Sequence, residues 1–339
     1  MQALGNDFVV VDAERLLASD NTRALLSRWQ EAAPSLARHL SDRRFGVGAD
    51  GLILAINLQE KRLSELASQI YGANLGDCQL AWTYTNGDGS NAEMCGNGLR
   101  CLALWAHDRG LLAHQCKVLT QVGPVEIFFR STDEIKVDLG PPNLAPKKIP
   151  FTGLPGGERV VSSPFDISST NGLSITCVNM GNPHCLVFSG GFLNNIHIKD
   201  IQLPFETEKQ LRELPGALTS IAEEIQGDPR FPQGANVSFV IAHTRNSAQA
   251  VVFERGCGPT LACGSAAAAI LVGGVLEGRL DRTAQITLPG GSLLVEWSEP
   301  DNHVRITGPA RFVFDGQVSL PRSFFDLGSG AQLSGAMAK

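Results

Sequence analysis

The sequence has no segment suited to crossing a membrane and no long run of one charge. Its longest apolar run, residues 266–276, is shorter than a bilayer span requires. The first ten residues lack a basic stretch followed by an apolar one, so we expect no secretory signal. The net charge of −6 comes without an acidic or basic tail, so neither a nucleic acid nor a membrane is expected as a partner.

Cysteine pairing motifs are also missing. The chain has eight cysteines, none of them in a C-x-x-C arrangement, and its seven histidines are scattered without ligand spacing. A chain of 339 residues with this pattern is neither a disulfide scaffold nor a structural zinc protein. We therefore expect no bound metal. We also expect a reducing compartment, the cytoplasm, in which most of these cysteines are small buried hydrophobic residues.

An internal repeat is present instead. The Cys-Gly pair at 95–96 recurs at 263–264, and the blocks 44–50 (RFGVGAD) and 4–8 (LGNDF) recur in the same order at 230–236 (RFPQGAN) and 180–184 (MGNPH). Further pairs keep the separation of the two cysteines: Gly110 and Gly278, Gly123 and Gly291, Gly140 and Gly308, Pro141 and Pro309. Matches in one register and one order indicate a duplicated chain.

Both copies predict the same elements, in which β-branched strands end before the cysteine loop and a helix of about four turns follows it. The sequence therefore predicts an α+β protein of two pseudo-symmetric lobes, each a curled, mostly antiparallel sheet around a central helix. We place the first lobe at residues 1–138, completed by a C-terminal strand at 309–320, the second lobe at 139–308, and a tail at 321–339.

Three further segments are interpreted from composition and pattern. The Pro-rich stretch 140–157 is the predicted linker, and the amphipathic stretch 60–70 is a predicted surface insertion without a counterpart in the second half. Residues 206–225 are predicted to form a helix that corresponds to the one near 22–40.

The two cysteine loops are the candidate active site. Duplication with an approximate two-fold relation would set Cys95 and Cys263 on opposite sides of one small ligand. Each precedes a helix, whose free amides and dipole favour a nearby anion, so we expect a lowered thiol pKa. The amides of Gly96, Asn97, Gly264 and Ser265 are suited to one carboxylate between them. Two thiols facing an α-carbon are the arrangement for two-base racemisation; the alternative is a pair of buried core cysteines.

Longer motifs carry a family resemblance. The segments LGNDFVVVD, DRRFGVGADG, NGDGSNAEMCGNGLRC, MGNPHC, GANVSFV, FERGCGPTLACGS and LPGGSLLVEW, between residues 4 and about 316, resemble diaminopimelate epimerases, with VLEGRLDR and DNHVRITGPA closest to the plant and cyanobacterial branch. The resemblance implies that fold and a cofactor-independent isomerase that converts LL-2,6-diaminoheptanedioate (LL-diaminopimelate) to the meso form in lysine biosynthesis. It leaves a homodimer open, and it extends the expected location to the plastid stroma for a photosynthetic eukaryote.

The resemblance also assigns residues. Cys95 and Cys263 would be the acid/base thiols, and His184 together with Glu254 would tune their pKa. Glu254 and Arg255 would serve largely the distal end of the substrate. The substrate-binding set it implies is Asn6, Asn86, Gly96, Asn97, Asn182, Asn236, Glu254, Arg255, Gly264 and Ser265.

Departures from the family pattern lie near the second thiol. Ala266 stands where glycine is usual, Cys257 and Pro259 replace small or polar residues, and Gly51 stands where some members carry glutamine. These positions put loop closure and rate in doubt, and we assign no role to Cys257.

Three other functions are compatible with paired thiols. A proline or hydroxyproline racemase or dehydratase of the same fold would not need the Glu254-Arg255 pair, because a cyclic imino acid has no distal ammonium and carboxylate. An inactive ligand-binding homologue would need neither sulfur. A redox sensor would form a Cys95–Cys263 disulfide, which we expect to abolish turnover.

Overall fold

The computed structural model describes residues 1–72, 74–91, 94–154, 157, 159–170, 172–189, 201–205 and 207–325. The elements of the first half are β1 Gln2–Ala3, β2 Asn6–Asp12, α1 Ala13–Leu16, α2 Asp20–Ser27, α3 Trp29–Ser41, β3 Gly51–Asn57, α4 Lys61–Tyr71, β4 Leu80–Asn86, α5 Gly96–Asp108, β5 Gln115–Thr120, β6 Gly123–Phe129 and β7 Ile135–Asp138.

The second half follows the same plan. Its elements are β8 Ser163–Phe165, β9 Leu173–Asn179, β10 Pro183–Phe188, α6 Gly216–Gln226, β11 Asn236–Thr244, β12 Ser247–Glu254, β13 Gly258–Thr260, α7 Gly264–Leu276, β14 Thr283–Leu288, β15 Gly291–Trp297 and β16 Val304–Gly308, with short 3₁₀ turns at Pro146–Lys148, Glu208–Glu213 and Arg322–Phe324.

Strand pairing repeats between the halves. In the first half β1–β2, β3–β4, β5–β6 and β6–β7 are antiparallel, whereas β2–β3 and β4–β5 are parallel. The series β9, β10, β11, β12, β14, β15, β16 pairs in the same order and with the same directions. Antiparallel pairing of β7 with β16 joins the two series into one sheet. The predicted α+β class and internal duplication are confirmed.

Helices α5 and α7 are the central helices of the lobes. Their apolar residues share one core cluster, which includes Leu99, Leu102, Ala267 and Ile270. Separate outer clusters cover the opposite faces of the two sheets, one with α2, α3 and α4 and the other with α6. Residues 52–56 of strand β3 are all apolar because alternate side chains enter the central and the outer core.

Each central helix ends where the repeat predicts. Gly110 and Gly278 follow α5 and α7, and both have φ of +69°. A left-handed residue after a helix lets the chain reverse while its amides still bond the last carbonyls, and glycine adopts that conformation without strain. The amides of Gly110 and Leu111 bond the carbonyls of His107 and Ala106 accordingly.

The predicted single helix at 206–225 is wrong in extent. Its described part is a 3₁₀ turn at Glu208–Glu213 followed by α6, and Pro215 separates them. Proline lacks an amide proton and its ring clashes with the preceding turn, which favours a helix that begins after Pro215 over one that runs through it. The insertion at 60–70 forms α4, whose residues Leu63, Leu66 and Ala67 are buried.

The predicted strand at 309–320 is also wrong. The segment makes one bridge, in which Arg311 and Gln2 exchange both backbone hydrogen bonds. Strand β1 is only two residues long, and Pro309 has no amide to donate. The pairing of this segment with β1 therefore does not extend beyond the one bridge. Beyond the bridge Val313 and Phe314 are exposed. Residues 321–325 contain a 3₁₀ turn, and 326–339 lie outside the described residues; the lobe boundaries themselves stay a prediction.

Candidate active site

The N-termini of α5 and α7 meet between the lobes. A Cβ atom built on Gly264 would lie 3.7 Å from the Cα atom of Gly96 and 3.0 Å from Cδ1 of Ile306 on β16. The side-chain amide of Asn97, in the first turn of α5, donates to the carbonyl oxygen of Ala262 at 3.1 Å. Because Ala262 directly precedes Cys263, the two cysteine loops lie against each other.

This close approach depends on glycine. A Cβ atom on Gly96 would lie 2.7 Å from Cδ1 of Ile306. We expect Gly96→Ala to lower the free energy of unfolding by about 1–3 kcal/mol, because Ile306 is fully buried and has little room to move.

Urea unfolding of Gly96→Ala, Ile306→Val and the double variant measures this contact. Ile306→Val removes the obstructing methyl group at a cost of about 1 kcal/mol, so the double variant should be more stable than the two single losses predict together. Simple additivity would contradict the contact.

Each thiol has distinct hydrogen-bond partners. Cys95 is the N-cap of α5, where its sulfur accepts from the amide of Gly98 at 3.4 Å and lies 3.9 Å from Oδ1 of Asn6. Cys263 is the N-cap of α7, and its sulfur lies 3.5 Å from Oγ of Ser265. Both cysteines are free thiols.

The predicted lowering of the thiol pKa is wrong. Burial raises the pKa of Cys95 to about 11, and the nearby Glu254 adds to the rise. Burial also raises the pKa of Cys263 well above its usual range, with a further contribution from Glu254. The amides at the helix N-termini act in the opposite direction but do not offset desolvation. Without a ligand both thiols are therefore protonated at neutral pH.

Glu254 ends β12 beside the second thiol. Its Oε1 accepts from Oγ1 of Thr260 at 2.7 Å, and its carboxylate is hydrogen-bonded to the thiol of Cys263. Burial raises the pKa of this carboxyl group. Thr260 was not predicted as a site residue; its place on β13, which pairs with β12, becomes visible only in the folded chain.

Arg255 follows Glu254 and lies nearer the surface. Its amide donates to Oδ1 of Asn236 at 2.9 Å, and its guanidinium donates to the carbonyl oxygen of Gln233 at 2.5 Å. Within the described part of the chain no carboxylate pairs with this guanidinium. Its remaining N–H groups are thus suited to an incoming anion.

His184 is buried on β10. Its Nε2 shares a hydrogen bond of 2.8 Å with Oδ1 of Asn182, and burial lowers its pKa to about 3. The ring is therefore neutral and supplies no positive charge to either thiol. The assignment of His184 as a residue that tunes the thiols stays a prediction.

The two first-lobe asparagines have different environments. Asn6 accepts from the Asn97 amide at 3.1 Å and donates to Asp50 at 2.6 Å, which connects it to the α5 terminus. Asn86 donates to Ser90 at 2.9 Å within its own turn. Asp50 was not predicted as a site residue, although its counterpart in the repeat, Asn236, was predicted to bind the substrate.

The residues that depart from the family pattern have different environments. Ala266 is fully buried in α7, and Pro259 pairs with Phe253 across β13 and β12. Cys257 is exposed. A Cβ atom on Gly51 would lie 2.5 Å from the Tyr84 ring, so this neighbour leaves no room for a side chain there.

Two features are absent from the described residues. No helix among them is long and apolar enough to cross a membrane. In the same residues no cluster of three or more His, Cys, Asp or Glu side chains is placed to hold a metal ion.

Solved structures establish the fold class. A probable proline racemase from Agrobacterium radiobacter K84, with bound carbonate, superposes with a TM-score of 0.58 over 90% of this chain and 86% of that one, at 14% identity. A PhzF-family phenazine biosynthesis protein from Bacillus anthracis gives 0.53 over 94% and 95%, also at 14% identity. The chain therefore has the two-lobed fold of these proteins.

Sequence relatives define the family within that fold. The family described as "Diaminopimelate epimerase" matches residues 1–145 and 176–313. The diaminopimelate epimerase of Synechocystis sp. is 36% identical over 94% of this chain and 96% of its own length, and the chloroplastic one of Oryza sativa subsp. japonica is 36% identical over 93% and 78%. The chain belongs to the diaminopimelate epimerase family, and it is an isomerase of amino-acid biosynthesis.

Proposed function

We propose that the protein interconverts LL- and meso-2,6-diaminoheptanedioate in lysine biosynthesis, with Cys95 and Cys263 as its two bases and without a cofactor. The observation that carries this proposal is the meeting of two helix N-termini, each preceded by a cysteine, of which Cys263 is buried and Cys95 half-buried. The carboxylate at the reacting centre would lie between the first amides of α5 and α7, where both helix dipoles favour negative charge.

The proton transfers balance across the α-carbon. One cysteine, as thiolate, removes the α-proton, and the other, as thiol, delivers its proton to the opposite face, so the pair exchanges roles in each turnover. Charge that develops on the carboxylate is stabilised by the amides of Gly96, Asn97, Gly264 and Ser265.

Both thiols are protonated in the free protein, so a thiolate has to form when the substrate binds. The α-ammonium group of an amino acid would bring a positive charge beside the thiols, which lowers their pKa. The carboxylate of Glu254 contacts the thiol of Cys263. We assign this carboxylate two partners: that thiol and an ammonium group of the bound substrate. Arg255, without a carboxylate partner in the described chain, would bind the distal carboxylate, while Asn6, Asn86, Asn182 and Asn236 line the remaining pocket.

Removal of the Glu254 charge should separate its effects. Because this carboxylate raises the pKa of both thiols, Glu254→Gln should lower the pH midpoint of alkylation by about one unit at Cys263 and by less at Cys95. Turnover should fall, because a substrate ammonium group loses its partner.

Iodoacetamide labelling against pH, resolved by peptide mass, measures both midpoints. Glu65→Gln, on the exposed surface of α4, is the matched control and should leave them unchanged. Midpoints that rise in Glu254→Gln would show that the carboxylate does not act through its charge.

A substrate comparison tests the proposed function. The wild-type chain should epimerise LL-2,6-diaminoheptanedioate and leave L-proline unchanged, as read by chiral chromatography. Racemisation of proline instead would favour the rival isomerase, and binding of either compound without turnover would favour a ligand-binding homologue. The cytoplasmic or plastid location and the homodimer stay predictions.

A further inference from the structure

Arg100, in the second turn of α5, is a fully buried cation beneath the candidate carboxylate site. Its guanidinium donates to Oδ1 of Asn97 at 2.7 Å, to the carbonyl of Pro309 at 3.2 Å and to that of Gly96 at 3.5 Å. Across the described ranges, no carboxylate forms an ion pair with it. Burial lowers the pKa of Arg100 to about 10, so it remains charged at neutral pH.

The hydrogen bond to Asn97 fixes the direction of that side chain. An amide whose oxygen accepts from a guanidinium must turn its NH₂ group away, and here the NH₂ group donates to Asn6 and to Ala262. Arg100 therefore orients the Asn97 side chain, which bonds the α5 terminus to the loop of Cys263.

The buried cation is present in the first copy of the repeat and has no counterpart in the second. At the separation that relates Cys95 to Cys263, Arg100 corresponds to Ala268. Only α5 thus carries a buried positive charge near its thiol, while α7 carries a methyl group at the same place. Two thiols related by duplication are therefore electrostatically unequal.

Groups around the two thiols do not cancel this difference. Cys95 is faced by Glu254 from β12, by Tyr84 from β4, and by Arg100 and Cys101 from its own helix. Cys263 is faced by Glu254, which is also hydrogen-bonded to it, and by the hydroxyl of Ser265. The negative charge of Glu254 thus acts on both thiols and more strongly on Cys263, whereas the positive charge of Arg100 acts on Cys95.

We propose that Arg100 is a positioning residue of the isomerase site: it holds the Asn97 amide towards the second helix and favours the thiolate of Cys95 over that of Cys263. This role rests on the proposed two-thiol function for its catalytic consequence, but its effect on ionisation is independent of turnover. In the free protein Cys95 is the thiol that ionises first.

Alkylation at pH 7, where Arg100 is charged, tests the inference without substrate. In wild type, iodoacetamide labelling followed by peptide mass should be faster at Cys95 than at Cys263. In Arg100→Met the labelling rate of Cys95 should fall about tenfold, with a smaller change at Cys263. Equal rates at the two thiols in wild type, or an unchanged Cys95 rate in a folded Arg100→Met protein, would overturn the proposal.

Arg100→Lys separates charge from geometry and covers the case in which Arg100→Met does not fold. Lysine keeps the charge at pH 7 but cannot reproduce the forked hydrogen bonds. The labelling rate of Cys95 at pH 7 should stay within about threefold of wild type, while kcat for the isomerisation falls at least about tenfold. A larger fall in the labelling rate, or an unchanged kcat, contradicts the inference.

The same experiments distinguish the two proposals. If wild type fails to epimerise the diamino acid but the labelling rates change as stated, the proposed function is wrong and Arg100 still sets which thiol ionises more readily. If wild type epimerises and the labelling rates do not change, the role of Arg100 is wrong and the proposed function stands.

Discussion

Cys95→Ala and Cys263→Ala are each expected to reduce the epimerisation rate of LL-2,6-diaminoheptanedioate by at least ~10³-fold, since a positioned acid or base typically contributes 10²–10⁴-fold and each thiol serves in both capacities. Binding should change far less, because the carboxylate is held by backbone amides that the substitutions leave in place. Chiral chromatography of the product and calorimetric titration of the ligand measure the two effects separately.

Cys116→Ala is the matched control for thiol loss. Cys116 is buried on β5, away from the helix N-termini, so its substitution should reduce stability and leave kcat unchanged. Near-normal turnover in either Cys95→Ala or Cys263→Ala would exclude that thiol as a base.

Arg255→Met should raise KM for the diamino acid and lower kcat/KM by about 10²-fold, as expected for loss of a charged hydrogen-bonded pair. The physical reason is that the guanidinium donates to a backbone carbonyl but, in the described chain, pairs with no carboxylate, so its other N–H groups are available to the substrate. Arg255→Lys should recover only part of the loss, because an ammonium group cannot bind a carboxylate through two parallel bonds.

Steady-state kinetics with Arg245→Met as control tests this assignment. Arg245 is an exposed arginine that pairs with Asp281 on the surface, and its loss should leave KM unchanged. An unchanged KM in Arg255→Met would remove the distal carboxylate from this residue and weaken the distinction from a proline racemase.

Much of the fold could be predicted because the residues that match between the two copies also start or end helices and strands. Gly110 and Gly278 end the helices in a conformation that other residues avoid, so their spacing located both central helices. Strands that end before the two cysteine loops were predicted from β-branched and apolar residues followed by turn formers, and β4 and β12 lie there.

Features that depend on tertiary contacts could not be predicted in the same way. The direction of the thiol pKa was wrong because burial, which the sequence does not show, outweighs the helix terminus that the sequence does show. The partners of Arg100 come from three separated positions, and the hydrogen bond of Thr260 to Glu254 depends on the pairing of β13 with β12. The absent strand at 309–320 depends on the short length of β1.

Two thiols on opposite faces of one α-carbon would leave a specific isotope pattern in heavy water. When LL-2,6-diaminoheptanedioate is converted in D₂O and the reaction is stopped early, the meso product should carry one deuterium at the inverted centre. The recovered LL substrate should remain protonated, because the thiol that took its proton returns the same one. Equal deuterium in product and recovered substrate would instead indicate a single base and contradict the pairing of Cys95 with Cys263.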